Sequence, residues 1–200
     1  MTFDSDNYWE QRYADNGNSG DGSYGILANF KADTINQIIK QYRIKSLVDY
    51  GVGDGNQYSL IESDKLEYYG IDVSKTAVNL CQTKFVDHKY RFMLVDEFKK
   101  LNTTCDLSMS CDVLYHLIEN DKYQNYIESL VNFSHKYILI YARDETRKHA
   151  AHVYFREFND YIQDKYKCKL IKKFLNKYPQ KQLGFNNQTT SPSDFFLYIK

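Results

Sequence analysis

Of everything in this 200-residue chain, the stretch Val48-Asp49-Tyr50-Gly51-Val52-Gly53-Asp54-Gly55 most constrains the fold. It closes a short apolar run at residues 46–50. Glycines at alternate positions let the backbone turn tightly and bare its N–H groups to a ligand. A strand that ends in such a turn and leads into a helix starts a parallel sheet with helices on both faces. A turn built for a dinucleotide pyrophosphate reads G-x-G-x-x-G and needs glycine at position 56, where Asn56 stands.

Two more acids take matching places. Gly70-Ile71-Asp72-Val73-Ser74 ends a second strand (67–71), where a carboxylate can accept hydrogen bonds from both hydroxyls of a ribose. Asp96 follows a third strand (90–95), within reach of an adenine amino group. Taken singly, each acid reads as a helix cap or a solvated surface group. With Asp49, three acids stand at three successive strand ends along one edge of the sheet.

Periodicity supplies the other elements. Apolar residues recur at helical spacing over 26–42, from Ser74 to about 87, over 120–133 and over 155–166. A brief helix is expected at 57–62, and a first amphipathic helix at 7–14. Strands are expected at 106–111, 136–142, 169–175 and 194–199, the last two as an antiparallel hairpin. Residues 1–200 read as one domain: a helical lid (1–45), a ligand-binding core (46–142), and a helix with the closing hairpin on the substrate side (143–200).

Composition narrows the class. Lys+Arg and Asp+Glu tie at 26, so no whole-chain basic excess points to long nucleic acid or a membrane surface. Mean hydropathy is −0.63, partly because the scale penalises the 19 tyrosines, which fill cores once their hydroxyls find partners. The four cysteines show no C-x-x-C spacing, and residues 1–6 carry neither a basic nor an apolar signal region. No metal-ligand cluster stands out, although Asp112 and Asp144 sit at the ends of two strands. A reducing, cytoplasmic protein is expected, with no membrane span and no metal.

On these residues the chain resembles the class I S-adenosylmethionine-dependent methyltransferases. The resemblance covers about residues 47–142: the glycine turn, the Asp72 and Asp96 positions, and Ser110-Cys111-Asp112-Val113-Leu114-Tyr115-His116-Leu117, similar to the D-V-L-x-H-L run of the small-molecule branch. A narrower resemblance joins Tyr8-Trp9-x-x-Arg12-Tyr13, Asn18-Ser19-Gly20-x-Gly22-Ser23-Tyr24-Gly25 and His152-Val153-x-x-Arg156-x-Phe158 to a small subfamily loosely associated with glycan biosynthesis. The resemblance implies a seven-stranded sheet of order 3-2-1-4-5-7-6 with the last strand antiparallel, and S-adenosyl-L-methionine as cofactor. It places Asp49, Gly51, Gly53 and Gly55 around the methionine moiety, Asp72 with Val73 at the ribose, Asp96 at the adenine, and Cys111 beneath the sulfur. Arg12 or Tyr13 would reach the methionine carboxylate.

For chemistry, the resemblance implies O-methylation of a small acceptor such as a sugar, nucleotide sugar or glycan end. His152, His116 and Asp112 are the candidate catalytic groups, with Arg156 as a clamp for the acceptor. His152 is preferred as base, since His116 follows Val113 and can equally be a packing histidine. Alternatives are an RNA cap-like acceptor, or a protein that binds an adenosyl ligand without catalysis. Residues 143–200 hold 12 Lys+Arg against 6 Asp+Glu, while 1–142 hold 14 against 20. That split reads first as a solvated helix and strand face, and it leaves open a small anionic acceptor beside the closing segment, with a short RNA end as the alternative.

Overall fold

The computed structural model describes residues 3–200. A seven-stranded sheet runs β3 (Phe92–Leu94), β2 (Glu67–Asp72), β1 (Ser46–Tyr50), β4 (Cys105–Cys111), β5 (Ser134–Ala142), β9 (Asp194–Ile199), β8 (Lys169–Phe174). Its first five strands are parallel, and β9 pairs antiparallel with both β5 and β8. This is the expected order, because the extra strands β6 (Arg147–Ala150) and β7 (Val153–Phe155) pair only with each other. Sequence reading missed that hairpin and began a helix at 155. The helix α6 starts later, at Asn159–Tyr166, where Asp144 Oδ1 accepts from the N–H groups of Phe158 and Asn159 at 2.8 and 3.1 Å.

Side chains alternate between two cores, as a pleated sheet buried on both faces requires. Leu47, Leu139, Phe195 and Leu197 face α2 (Gly25–Tyr42) and α3 (Lys75–Lys84); Val48, Ile138, Ile140 and Phe196 face α5 (Asn120–Asn132) and α6. The helix α2 is part of this packing, with Leu27, Ile35 and Ile38 buried. Residues 25–42 of the segment expected as a lid therefore belong to the core, and α1 (Ser5–Ala14) with the loop up to α2 lies outside it. Tyr126 shows how a tyrosine fills this core with its hydroxyl satisfied: it stacks on Tyr50 at 3.9 Å and donates to the Tyr50 carbonyl at 2.6 Å. Two elements are shorter than expected. Residues 57–62 make only a single 3-10 turn (Tyr58–Leu60), and β3 stops at Leu94 because Val95 opens the helix α4 (Val95–Lys100). Among the described residues, no helix is long and apolar enough to cross a membrane.

Candidate active site

The glycine turn sits where β1 ends beside β2 and β4, and its conformation is open only to glycine at two decisive points. Gly51 has φ +90, and a Cβ there would lie 2.5 Å from Val113 Cγ2. Gly53 has φ +59, and a Cβ would meet Ser19 Oγ at 2.5 Å and the Tyr13 hydroxyl at 2.8 Å. Tyr13 and Ser19, from the segment before α2, thus rest directly on the turn. Asp72, only 7% exposed, accepts from the N–H of Gly53 at 3.0 Å and of Ser74 at 2.9 Å. Burial raises its carboxyl above the ordinary range. Asp49 is buried deeper, accepts from the Tyr68 hydroxyl at 2.7 Å, and is pushed up to about 7 by loss of solvent.

A cavity of about 240 Å³ lies against this turn. Asp49, Gly51, Gly53, Asp72, Val73, Cys111 and Tyr13 all line it. The Cys111 thiol is held well above its usual range by burial, so it lines the floor as a neutral group. Four expected ligands are elsewhere. Gly55 (φ +72) does not line this cavity: a Cβ there would lie 2.7 Å from the Phe85 ring and 3.0 Å from Cys81 Sγ. Asp96 falls in the first turn of α4, where its side chain is 85% exposed and pairs with Lys99 at 3.6 Å. Arg12 turns away from this cavity to donate to the Asn18 carbonyl at 2.7 Å. Arg156 does not line this cavity either: its guanidinium donates to the carbonyls of Leu117 and Ile118, both at 2.6 Å, and to Asn120 at 3.0 Å, fixing the loop before α5. Gln57 went unnoticed in the sequence. It lines the cavity with a buried Oε1 that has no hydrogen-bond partner.

The helix α1 is tied down at two places along the sheet edge. Glu10 of α1 accepts from Ser74 Oγ and Thr76 Oγ1 (2.7 and 2.6 Å) and from the Thr76 N–H (3.2 Å), at the N-terminus of α3. Such a carboxylate also answers the positive end of the helix dipole. At the N-terminus of α5, Ser5 donates to Glu119 twice at 2.9 Å, and Lys122 pairs with Asp4 and Asp6 at 2.8 and 2.9 Å. Closer to the turn, Asp54 accepts from the Ser19 N–H at 3.0 Å and from the Tyr24 hydroxyl.

Beyond the lid a second cavity, of about 390 Å³, opens toward the β6–β7 hairpin. Trp9, Ser19, Ser23, Asp112 and His116 wall both cavities. At this junction Asp112 adopts φ +61, a left-handed conformation that Asp enters more readily than most non-glycine residues. His116 contacts the His152 carbonyl through Nδ1 at 3.0 Å. A carbonyl only accepts, so Nδ1 carries the proton and Nε2 presents a bare lone pair. Burial lowers His116 to about 4 and keeps it neutral at physiological pH. His152 stands in the far wall, its ring parallel to His116 at 5.9 Å and stacked on Tyr8 at 5.3 Å. The same wall holds Arg143 and Arg147, which share Glu145 (2.6 and 3.2 Å) and both lie over the Phe155 ring.

Comparison with known proteins agrees with this arrangement. Residues 48–131 match the family model of a methyltransferase domain. No curated protein sequence matches the chain. Among solved structures it is similar to the N-methyltransferase NodS from Bradyrhizobium japonicum WM9, crystallised with S-adenosyl-L-homocysteine (TM-score 0.72, 13% identity, 99% of each chain covered). It is also similar to magnesium protoporphyrin IX methyltransferase from Synechocystis PCC 6803 with bound S-adenosylmethionine (TM-score 0.67, 13% identity, 99% of this chain and 98% of that one). A third is the methyltransferase domain of bacterial CtHen1-CN (TM-score 0.64, 16% identity, 85% and 97%). At these identities the likeness is one of fold: the Rossmann-like sheet, with its helices on both faces.

Proposed function

We propose that this chain is an S-adenosyl-L-methionine-dependent methyltransferase that methylates a hydroxyl of a small, anionic acceptor such as a nucleotide sugar or a glycan end. The observation that carries this reading is the pair of cavities joined at Asp112 and His116. The first offers what an adenosyl-methionine ligand needs: buried Asp72 for a ribose, Asp49 and the unpartnered Gln57 Oε1 for an ammonium, and bared backbone at the turn. When bound, S-adenosyl-L-methionine supplies a methyl on positively charged sulfur, ready for in-line displacement.

The protein's part is alignment, exclusion of water and removal of a proton. Trp9, Ser19 and Ser23 of the lid segment cover the junction. His116, neutral and with Nε2 free, is the base for an acceptor hydroxyl in the second cavity. This reverses the preference for His152, whose backbone carbonyl instead fixes the His116 tautomer. The two guanidiniums over Phe155, with one glutamate between them, leave a net positive charge, a combination suited to a phosphate or carboxylate.

Calorimetric titration tests the reading directly. S-adenosyl-L-homocysteine is expected to bind and NAD not to, and Asp72→Asn should weaken the former more than tenfold. A wild-type protein that binds no S-adenosyl-L-homocysteine overturns the proposal. The acceptor class is then found by transfer of a radiolabelled methyl to uridine diphosphate sugars, free sugars and a capped RNA oligonucleotide. Transfer to the RNA alone would replace the small acceptor by an RNA end.

A further inference from the structure

Lys31 lines the first cavity and takes no part in the chemistry described so far. It projects from the buried stripe of α2, 2% exposed, where a charge is costly unless matched. Its match is Asp112 Oδ2, 2.6 Å from Nζ. The Tyr115 hydroxyl donates to Asp112 Oδ1 at 2.8 Å, so both carboxylate oxygens are engaged. Asp112 lines both cavities and Lys31 the first, so the pair's carboxylate stands where a methyl would cross from one cavity to the other, with its counter-charge on the first cavity's side.

A free carboxylate at that spot would be a poor neighbour for a sulfonium. It would stabilise the positively charged donor more than the transition state, in which that charge is already fading. It would also be a competing nucleophile. In transfer, the acceptor oxygen forms a bond to the methyl carbon as the carbon–sulfur bond breaks; the electron pair goes to sulfur, and the acceptor proton to His116 Nε2. The sulfur ends neutral, so a net charge beside it favours one cofactor form over the other.

We infer that Lys31 is a positioning residue that cancels the Asp112 charge at the crossing point and so sets the relative affinity for charged donor and neutral product. This rests on the donor proposed above, and its test separates the two. Dissociation constants for S-adenosyl-L-methionine and S-adenosyl-L-homocysteine are measured by calorimetry in the wild type, Lys31→Met, Lys31→Arg, Asp112→Asn and the double variant Lys31→Met/Asp112→Asn.

One uncompensated charge in the wall of the first cavity should move the ratio of the two constants by about fivefold or more. Lys31→Met should shift it toward the sulfonium ligand and Asp112→Asn away from it. The double variant should return close to the wild-type ratio, and Lys31→Arg should hardly move it. A pair with a purely architectural role would weaken both ligands together and leave the ratio unchanged in all variants, which overturns the inference. If Lys31→Met does not fold, the opposite shift in Asp112→Asn and its reversal in the double variant still decide. Absence of binding to the wild type would instead remove the donor reading itself.

Discussion

Asp49 is the residue whose environment makes the sharpest demand on pH. Its folded carboxyl keeps its proton up to about 7, whereas in the unfolded chain it loses it near the ordinary value of 3.8. Between those values the native state binds more protons, so this group's contribution to stability falls as pH rises through the window and levels off above it. A bound ammonium opposite Asp49 favours the ionised form, so affinity for S-adenosyl-L-homocysteine should tighten from pH 6 to pH 8. Asp49→Asn should flatten that dependence and raise the melting temperature relative to wild type at pH 8. Equal pH slopes for the two proteins would show that Asp49 does not titrate here. At this scale the sequence was readable wherever a motif fixed backbone and side chain together, as at Gly51, Gly53 and Asp72. Lys31 was readable in principle. It falls four residues after Leu27 and four before Ile35 on an otherwise apolar stripe, a position that implies a buried counter-charge. Asp112 as that partner was not readable, since the two are 81 residues apart.

Among the elements, α1 is held by side chains more than by packing: only Ser5 and Tyr13 are buried along it. Its attachment to α3 depends on one carboxylate, Glu10, which receives three hydrogen bonds. Glu10→Ala should leave those donors to water and loosen this end of the lid while the sheet stays intact. Deuterium exchange should rise across residues 5–24 and remain unchanged in β4 and β5. Dissociation of S-adenosyl-L-homocysteine should accelerate roughly fivefold, consistent with about 1 kcal/mol lost. Unchanged exchange in α1 would assign the closure to Ser19, Tyr24 and Asp54 instead. Helices and strands with a long apolar period were predictable to within a few residues, because burial enforces the period. Short elements were not. The 3-10 turn at Tyr58–Leu60, the end of β3 and the β6–β7 hairpin are fixed by tertiary contacts rather than by local pattern.

For the molecule as a whole, the hairpin is an appendage to a sheet that is complete without it. Replacing residues 147–153 by a short glycine-serine link should leave the fold and S-adenosyl-L-homocysteine binding nearly unchanged. It would remove the His152 carbonyl that holds His116 and the Arg147 side chain, so methyl transfer to the acceptor should fall by about a hundredfold or more. A shortened protein with full transfer activity would place the acceptor elsewhere. The charge split of the sequence resolves along the same line. Arg143 and Arg147 reach the second cavity, whereas the lysines of β8 lie along an edge strand and line neither cavity. Lysines on an exposed edge oppose pairing with other strands, a solubility role that composition could not separate from ligand binding.

The shared wall also bears on the order of binding. Trp9, Ser19 and Ser23 line both cavities, so an occupant of the first and an occupant of the second touch the same three side chains. Under the proposed function, this sharing predicts that donor binds before acceptor; an acceptor that binds the ligand-free protein with full affinity would overturn that order.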